Sequence, residues 1–113
     1  MMPSTGWVNG YRLPADIPER MIAMKRIHLI VHGRVQGVGF RFYTQKAARK
    51  LGILGWVKNR SDATVEIDAQ GNAKMLEQFL KAVRKGSPAS KVDRIQIEQR
   101  KPTSFHTFEI RYD

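Results

Sequence analysis

Within the run Gly33-Arg34-Val35-Gln36-Gly37-Val38-Gly39 the hydrophobic period of the chain changes from that of a strand to that of a helix. Before it, Ile27, Leu29 and Val31 alternate with His28, Ile30 and His32, the two-residue period of a strand with one face on a core. After it, Phe40, Tyr43, Ala47 and Leu51 recur at helical spacing until Gly52 supplies a C-terminal stop. A strand running through glycines directly into a helix fixes the first βα unit, and the remaining elements must pack around it.

Residues 53–59 and 64–68 read as strands joined by the turn Arg60-Ser61-Asp62-Ala63. Gly71-Asn72 opens a second helix, with Asn72 as its N-cap, an apolar stripe of Met75, Leu76, Phe79 and Val83, and a stop at Lys85-Gly86-Ser87-Pro88. Two further strands, about residues 92–99 and 106–112, follow from the alternation of Ile95 with Ile97 and of Phe108, Ile110 and Tyr112. The order β-α-β-β-α-β plus a final strand predicts an α+β fold, the ferredoxin-like split βαβ sandwich, with an antiparallel sheet and two helices on one face. Phe40, Phe79 and Phe108 are expected in its core.

With 113 residues and 42% hydrophobic content, the chain has room for one core. Residues 25–113 carry the dense pattern and are expected to form the domain. Residues 1–24, broken by Pro3, Pro14, Pro18, Gly6 and Gly10, read as an N-terminal extension that Trp7, Tyr11, Leu13 and Ile17 can dock. The absence of cysteine excludes disulfides, thiol nucleophiles and thiolate metal sites, and it suits a cytoplasmic protein. No window approaches the ~20 apolar residues of a membrane span, and no secretory signal is evident, so no membrane partner is expected. A net charge of +10 attracts anions without choosing among nucleic acid, membrane and phosphorylated metabolite.

The glycine run narrows that choice. A strand-to-helix turn of this kind points successive backbone N–H groups at one spot beside a helix N-terminus, which makes an anion cradle of Val35, Gln36, Gly37, Val38, Gly39, Phe40 and Arg41. Arg41 adds a planar guanidinium able to meet two phosphate oxygens at once. The dinucleotide pattern fails because Phe42 stands where it requires glycine, and no glycine-lysine-Ser/Thr follows for a nucleoside-triphosphate loop. Val38-Gly39-Phe40-Arg41-Phe42-Tyr43 is faintly similar to the aromatic motif of RNA-recognition domains, but that motif belongs on a central strand and here it opens a helix.

Gly33-Arg34-Val35-Gln36-Gly37-Val38-Gly39-Phe40-Arg41 resembles the first signature of the acylphosphatase family. Gly55-Trp56-Val57-Lys58-Asn59, with Val65 and Gly71, resembles the second at matching spacing, and the likeness extends from about Lys25 to Tyr112. The resemblance implies hydrolysis of acyl phosphates, with Arg41 and the 35–41 loop holding phosphate and Asn59 orienting the attacking water. It implies inorganic phosphate as product and competing ligand, and neither cofactor nor metal. The expected partner is a small acyl phosphate rather than a specific nucleic acid, and the chain is expected to act as a monomer. Two positions depart from the family pattern: Ala63 stands where the second signature has glycine, and Asp113 follows Tyr112, the residue at which family chains commonly end.

A basic ferredoxin-like module for nucleic acid or other anions is the alternative, and it requires aromatics on the open sheet face. His28 and His32 lie on one strand face but well separated, with His106 distant in sequence, and they read as sheet-face side chains rather than metal ligands. Trp56 falls on the face opposite Asn59 and is expected to pack. Thr64 either supports Asn59 by hydrogen bonding or reflects strand propensity.

Overall fold

The computed structural model describes the backbone of residues 6–8 and 11–13 and the whole of residues 24–113. Its elements are β1 (Gly6–Val8), β2 (Tyr11–Leu13), β3 (Met24–Arg34), α1 (Phe40–Lys50), β4 (Leu54–Asn59), β5 (Val65–Asn72), α2 (Ala73–Lys85), β6 (Lys91–Arg100) and β7 (Phe108–Arg111). β1 and β2 form a separate antiparallel ladder inside the segment read as an unpatterned extension. Strands of three residues are too short to display a period. The docking expected of Trp7, Tyr11, Leu13 and Ile17 concerns side chains outside the described residues.

The main sheet has the order β6-β3-β5-β4-β7. β3 is antiparallel to β5 and β6, and β4 is antiparallel to β5. The sheet is not antiparallel throughout, because β4 and β7 run parallel, from Gly55 opposite Phe108 to Lys58 opposite Arg111. Direction explains the correction. β3 and β4 both oppose β5 and so share one sense; β6 opposes β3; a last strand that reverses β6 and reaches the far edge therefore arrives parallel to β4.

One sheet face and both helices enclose the core. Leu29, Val31, Val57, Val65, Ile67 and Ala69 from the strands meet Phe40, Ala48, Leu76, Phe79 and Val83 from the helices, all buried. Phe79 and Phe108 meet edge to face at 5.9 Å, and burial of each such ring contributes about 2 kcal/mol. The buried stripe of α1 is Phe40, Thr44 and Ala48. Tyr43, Ala47 and Leu51 flank it, and the Tyr43 hydroxyl donates to the Ala82 carbonyl of α2 at 2.8 Å. Asn72 caps α2 by accepting the Met75 N–H at 2.8 Å.

β5 runs beyond residue 68 because its polar residues on the open face find partners. Buried Asp68 accepts from Arg26 at 2.7 and 3.0 Å. Gln70 exchanges two 2.8 Å hydrogen bonds with the Thr103 backbone, where the β6–β7 connection crosses that face.

Candidate active site

The strand-to-helix turn is anchored at both ends by core side chains, Val35 and Phe40, each 1% exposed. Between them Gly37 and Gly39 both hold φ 73°. Space does not demand glycine there, since a Cβ at either position would meet nothing within 4 Å; the left-handed backbone does. Gly39 is the N-cap of α1 without a side-chain cap, and no acidic residue stands in the first turn to offset the positive end of the helix dipole. The first amide of the helix to find an acceptor is that of Tyr43, which donates to the Gly39 carbonyl at 3.0 Å. Among the described residues, the N–H groups from Gln36 to Phe42 donate to no protein acceptor. Such a run of unspent donors at a helix N-terminus is an anion site.

Arg41 lies in the first turn of α1. Its guanidinium carbon sits 5.0 Å over the Tyr112 ring, and among the described residues its five N–H groups make no hydrogen bond or ion pair. The cation–π contact fixes the plane of the fork and leaves its donors unspent.

Gln36 joins this turn to the one after β4. Its side-chain amide donates at 2.8 Å to both the Arg60 and the Thr64 carbonyls. Asn59 is the last residue of β4, immediately before that turn. Its amide oxygen is buried without a hydrogen-bond partner among the described residues, an unmet group that costs about 1–3 kcal/mol unless water or ligand completes it. A cleft beside it is lined by Lys58, Asn59, Arg60, Ser61, Glu66 and Asp113.

The turn itself is built around Asp62, which accepts from the N–H and the hydroxyl of Thr64. Thr64 therefore braces the turn and does not bond Asn59. The hydroxyl of Thr64, then its N–H, with charge from Arg60, hold the Asp62 carboxyl below its ordinary range. Ala63 takes φ 73°, alone among the described non-glycine residues. The turn thus keeps the left-handed geometry that glycine would fill without strain.

One contributor, Ser87, escapes a reading of the sequence. Ser87, buried after α2, donates to the Val38 carbonyl at 2.9 Å and so buttresses the cradle. Tyr112 provides the platform for Arg41. His28 contacts Glu66, at the margin of the cleft beside Asn59, at 2.6 Å, and His32 contacts Gln96 at 2.8 Å. No group of three or more His, Asp or Glu among the described residues is placed to hold a metal. Trp56, opposite Asn59, packs against His28 and under Arg111 and Lys58.

These features define a small α+β sandwich protein with an anion cradle at its first strand-to-helix turn. The acylphosphatase family model matches residues 27–110, and the chain belongs to that family. The acylphosphatase of Bacillus licheniformis is 51% identical over 90 residues, covering 79% of this chain and 100% of that one. The crystal structure of acylphosphatase from Bacillus subtilis superposes with TM-score 0.76 at 46% identity, covering 78% and 99% of the two chains. An acylphosphatase structure from Coxiella burnetii gives TM-score 0.80 at 30% identity, covering 84% and 100%.

Proposed function

We propose that the chain hydrolyses the carboxyl-phosphate bond of acyl phosphates, with Arg41 and the 35–41 backbone holding the phosphate and Asn59 orienting the attacking water. Acylphosphatase activity follows from family membership at 51% identity. The assignment of roles rests above all on the unspent N–H groups from Gln36 to Phe42 beside an Arg41 with unspent donors.

The chemistry asks little more. Water oxygen bonds to phosphorus, the bond from phosphorus to the acyl oxygen breaks, its electron pair leaves with the carboxylate, and the water's proton passes to phosphate or solvent. A carboxylate is a weak base, so no strong general acid is needed, and catalysis reduces to stabilising phosphoryl charge and aligning the nucleophile. Fixed N–H donors and Arg41 supply the first, and the unpartnered amide of Asn59 supplies the second.

The proposal extends to a metal-independent reaction by a monomer in the cytoplasm, carried by residues 25–113, with residues 1–24 an extension. Lack of cysteine fits a reducing compartment, and no helix among the described residues is long and apolar enough to cross a membrane. The nucleic-acid alternative is not favoured: Trp56 on the open face is engaged by Arg111, Lys58 and His28, and the β6–β7 connection crosses that face. Hydrolysis of benzoyl phosphate in the presence of a chelator is the test. Activity lost on chelation overturns the metal-free mechanism, and absence of hydrolysis overturns the proposal.

A further inference from the structure

Three large hydrophobic side chains stand exposed among the described residues: Phe42 at 70%, Ile97 at 47% and Tyr112 at 79%. Ile97 belongs to the edge strand β6. Tyr112 lies against an arginine. Phe42 follows Arg41 in the first turn of α1, and the Tyr112 ring lies 5.0 Å from the Arg41 guanidinium carbon. Tyr112 is also tied to the other half of the site. Its predecessor Arg111 pairs with Lys58, next to Asn59, and its successor Asp113 lines the cleft with Asn59.

We infer that Tyr112 is a specificity-determining residue that receives the acyl group of the substrate, and that it favours acyl groups with an aromatic or other apolar body. The inference rests on the reading of Arg41 as the phosphate ligand. In an acyl phosphate a single bridging oxygen separates phosphorus from the acyl carbon. A phosphate gripped by Arg41 therefore starts the acyl body within a few ångströms of the guanidinium, inside the reach of a ring 5.0 Å away. Arg41 occupies one side of that ring, and the rest faces water. An apolar acyl body laid against it removes hydrocarbon from water on both partners, whereas a small acyl group gains little and inorganic phosphate gains nothing. Ring exposure of this degree contributes little to folding, which makes the position free to vary with substrate.

Turnover of benzoyl phosphate and of acetyl phosphate, with inhibition by inorganic phosphate, separates the possibilities in the full chain and in Tyr112→Ala and Tyr112→Phe. The wild-type chain should prefer benzoyl phosphate in kcat/KM. In Tyr112→Ala that preference should fall roughly three- to tenfold, with a smaller change in the phosphate inhibition constant, while Tyr112→Phe keeps both. An unchanged preference in Tyr112→Ala overturns the inference and leaves the proposed function standing. A loss falling equally on both substrates and on phosphate also overturns it, by assigning Tyr112 to the support of Arg41 alone. A wild-type chain that hydrolyses neither substrate removes the proposed function and this inference with it.

Discussion

Ser87 Oγ donates to the carbonyl oxygen of Val38 at 2.9 Å, tying the end of α2 to the middle of the anion cradle. In a trans peptide the carbonyl and the following N–H point in opposite directions, so the bond that draws the Val38 carbonyl toward Ser87 turns the Gly39 N–H away from it. Ser87→Ala should cost about 1 kcal/mol of stability and weaken inhibition by inorganic phosphate. Denaturant unfolding and phosphate inhibition measure the two effects. Normal phosphate affinity in this variant would mean that the glycines alone hold the cradle.

Gln36 has a different task, because its side chain spans from the cradle to the Arg60 and Thr64 carbonyls. Gln36→Ala removes the clamp between the phosphate-holding turn and the turn following Asn59. Phosphate should still inhibit, while kcat should fall by roughly tenfold or more as phosphorus and water lose alignment. Equal losses in phosphate binding and kcat would contradict a purely relative placement.

What was legible in the sequence was what acts locally. Glycines at 37 and 39, the change of hydrophobic period and the Asn72 cap each leave a signal within a few residues. The glycine pattern places Gln36 in the cradle and the family resemblance points to Tyr112, but the side chains of Gln36 and Ser87 act through partners far along the chain, 28 residues in the case of Gln36 and Thr64 and 49 in that of Ser87 and Val38, and no local pattern marks those pairings. The extent of β5 was hidden for the same reason. Asp68 and Gln70 look like a strand end until Arg26 and the Thr103 backbone are seen to satisfy them. The parallel pairing of β7 depends on which edge the chain reaches, and alternation of side chains carries no information about that.

Ala63 tests how much strain the second turn holds. Its N–H donates to the Arg60 carbonyl at 3.3 Å, and its φ of 73° is the left-handed conformation that follows a tight turn in a three-residue hairpin loop. An L-residue pays about 1–2 kcal/mol there, against a loss of about 0.5–1 kcal/mol from the greater freedom of unfolded glycine. Ala63→Gly should therefore stabilise the protein by about 0.5 kcal/mol and leave kcat unchanged. A lower unfolding midpoint would show that the methyl group makes contacts that outweigh the strain.

The same turn should respond to acid. Hydrogen bonds from Thr64 hold the Asp62 carboxyl below its ordinary value of 3.8. A depressed folded value means that the stabilisation is fully present above the unfolded value and is lost as pH falls through the folded one. Wild type should exceed Asp62→Ala in stability at about pH 6, and the gap should close as the pH drops below about 3.8. Unfolding titrations of both proteins across that range measure it; a gap that widened on acidification would reverse the sign.

Arg41 and Asn59 stand 18 positions apart in sequence on either side of the Gln36 clamp, and their substitutions should fail differently. Asn59→Ala removes an amide whose oxygen has no protein partner, so the fold loses little, while the cradle and Arg41 remain. Turnover should fall by roughly the factor of 100 or more that goes with a lost transition-state contact, yet inorganic phosphate should still compete for the site. Arg41→Ala should lose turnover and phosphate inhibition together. Arg41→Lys keeps the positive charge but not the planar fork that lies over Tyr112, and a point charge on a flexible stem cannot grip two oxygens and fix phosphorus for in-line attack. It should recover little of either. Steady-state hydrolysis measured beside phosphate inhibition for each folded variant distinguishes the roles. Near-normal turnover by Asn59→Ala would transfer the positioning of water to another group, with the fold and the family unchanged.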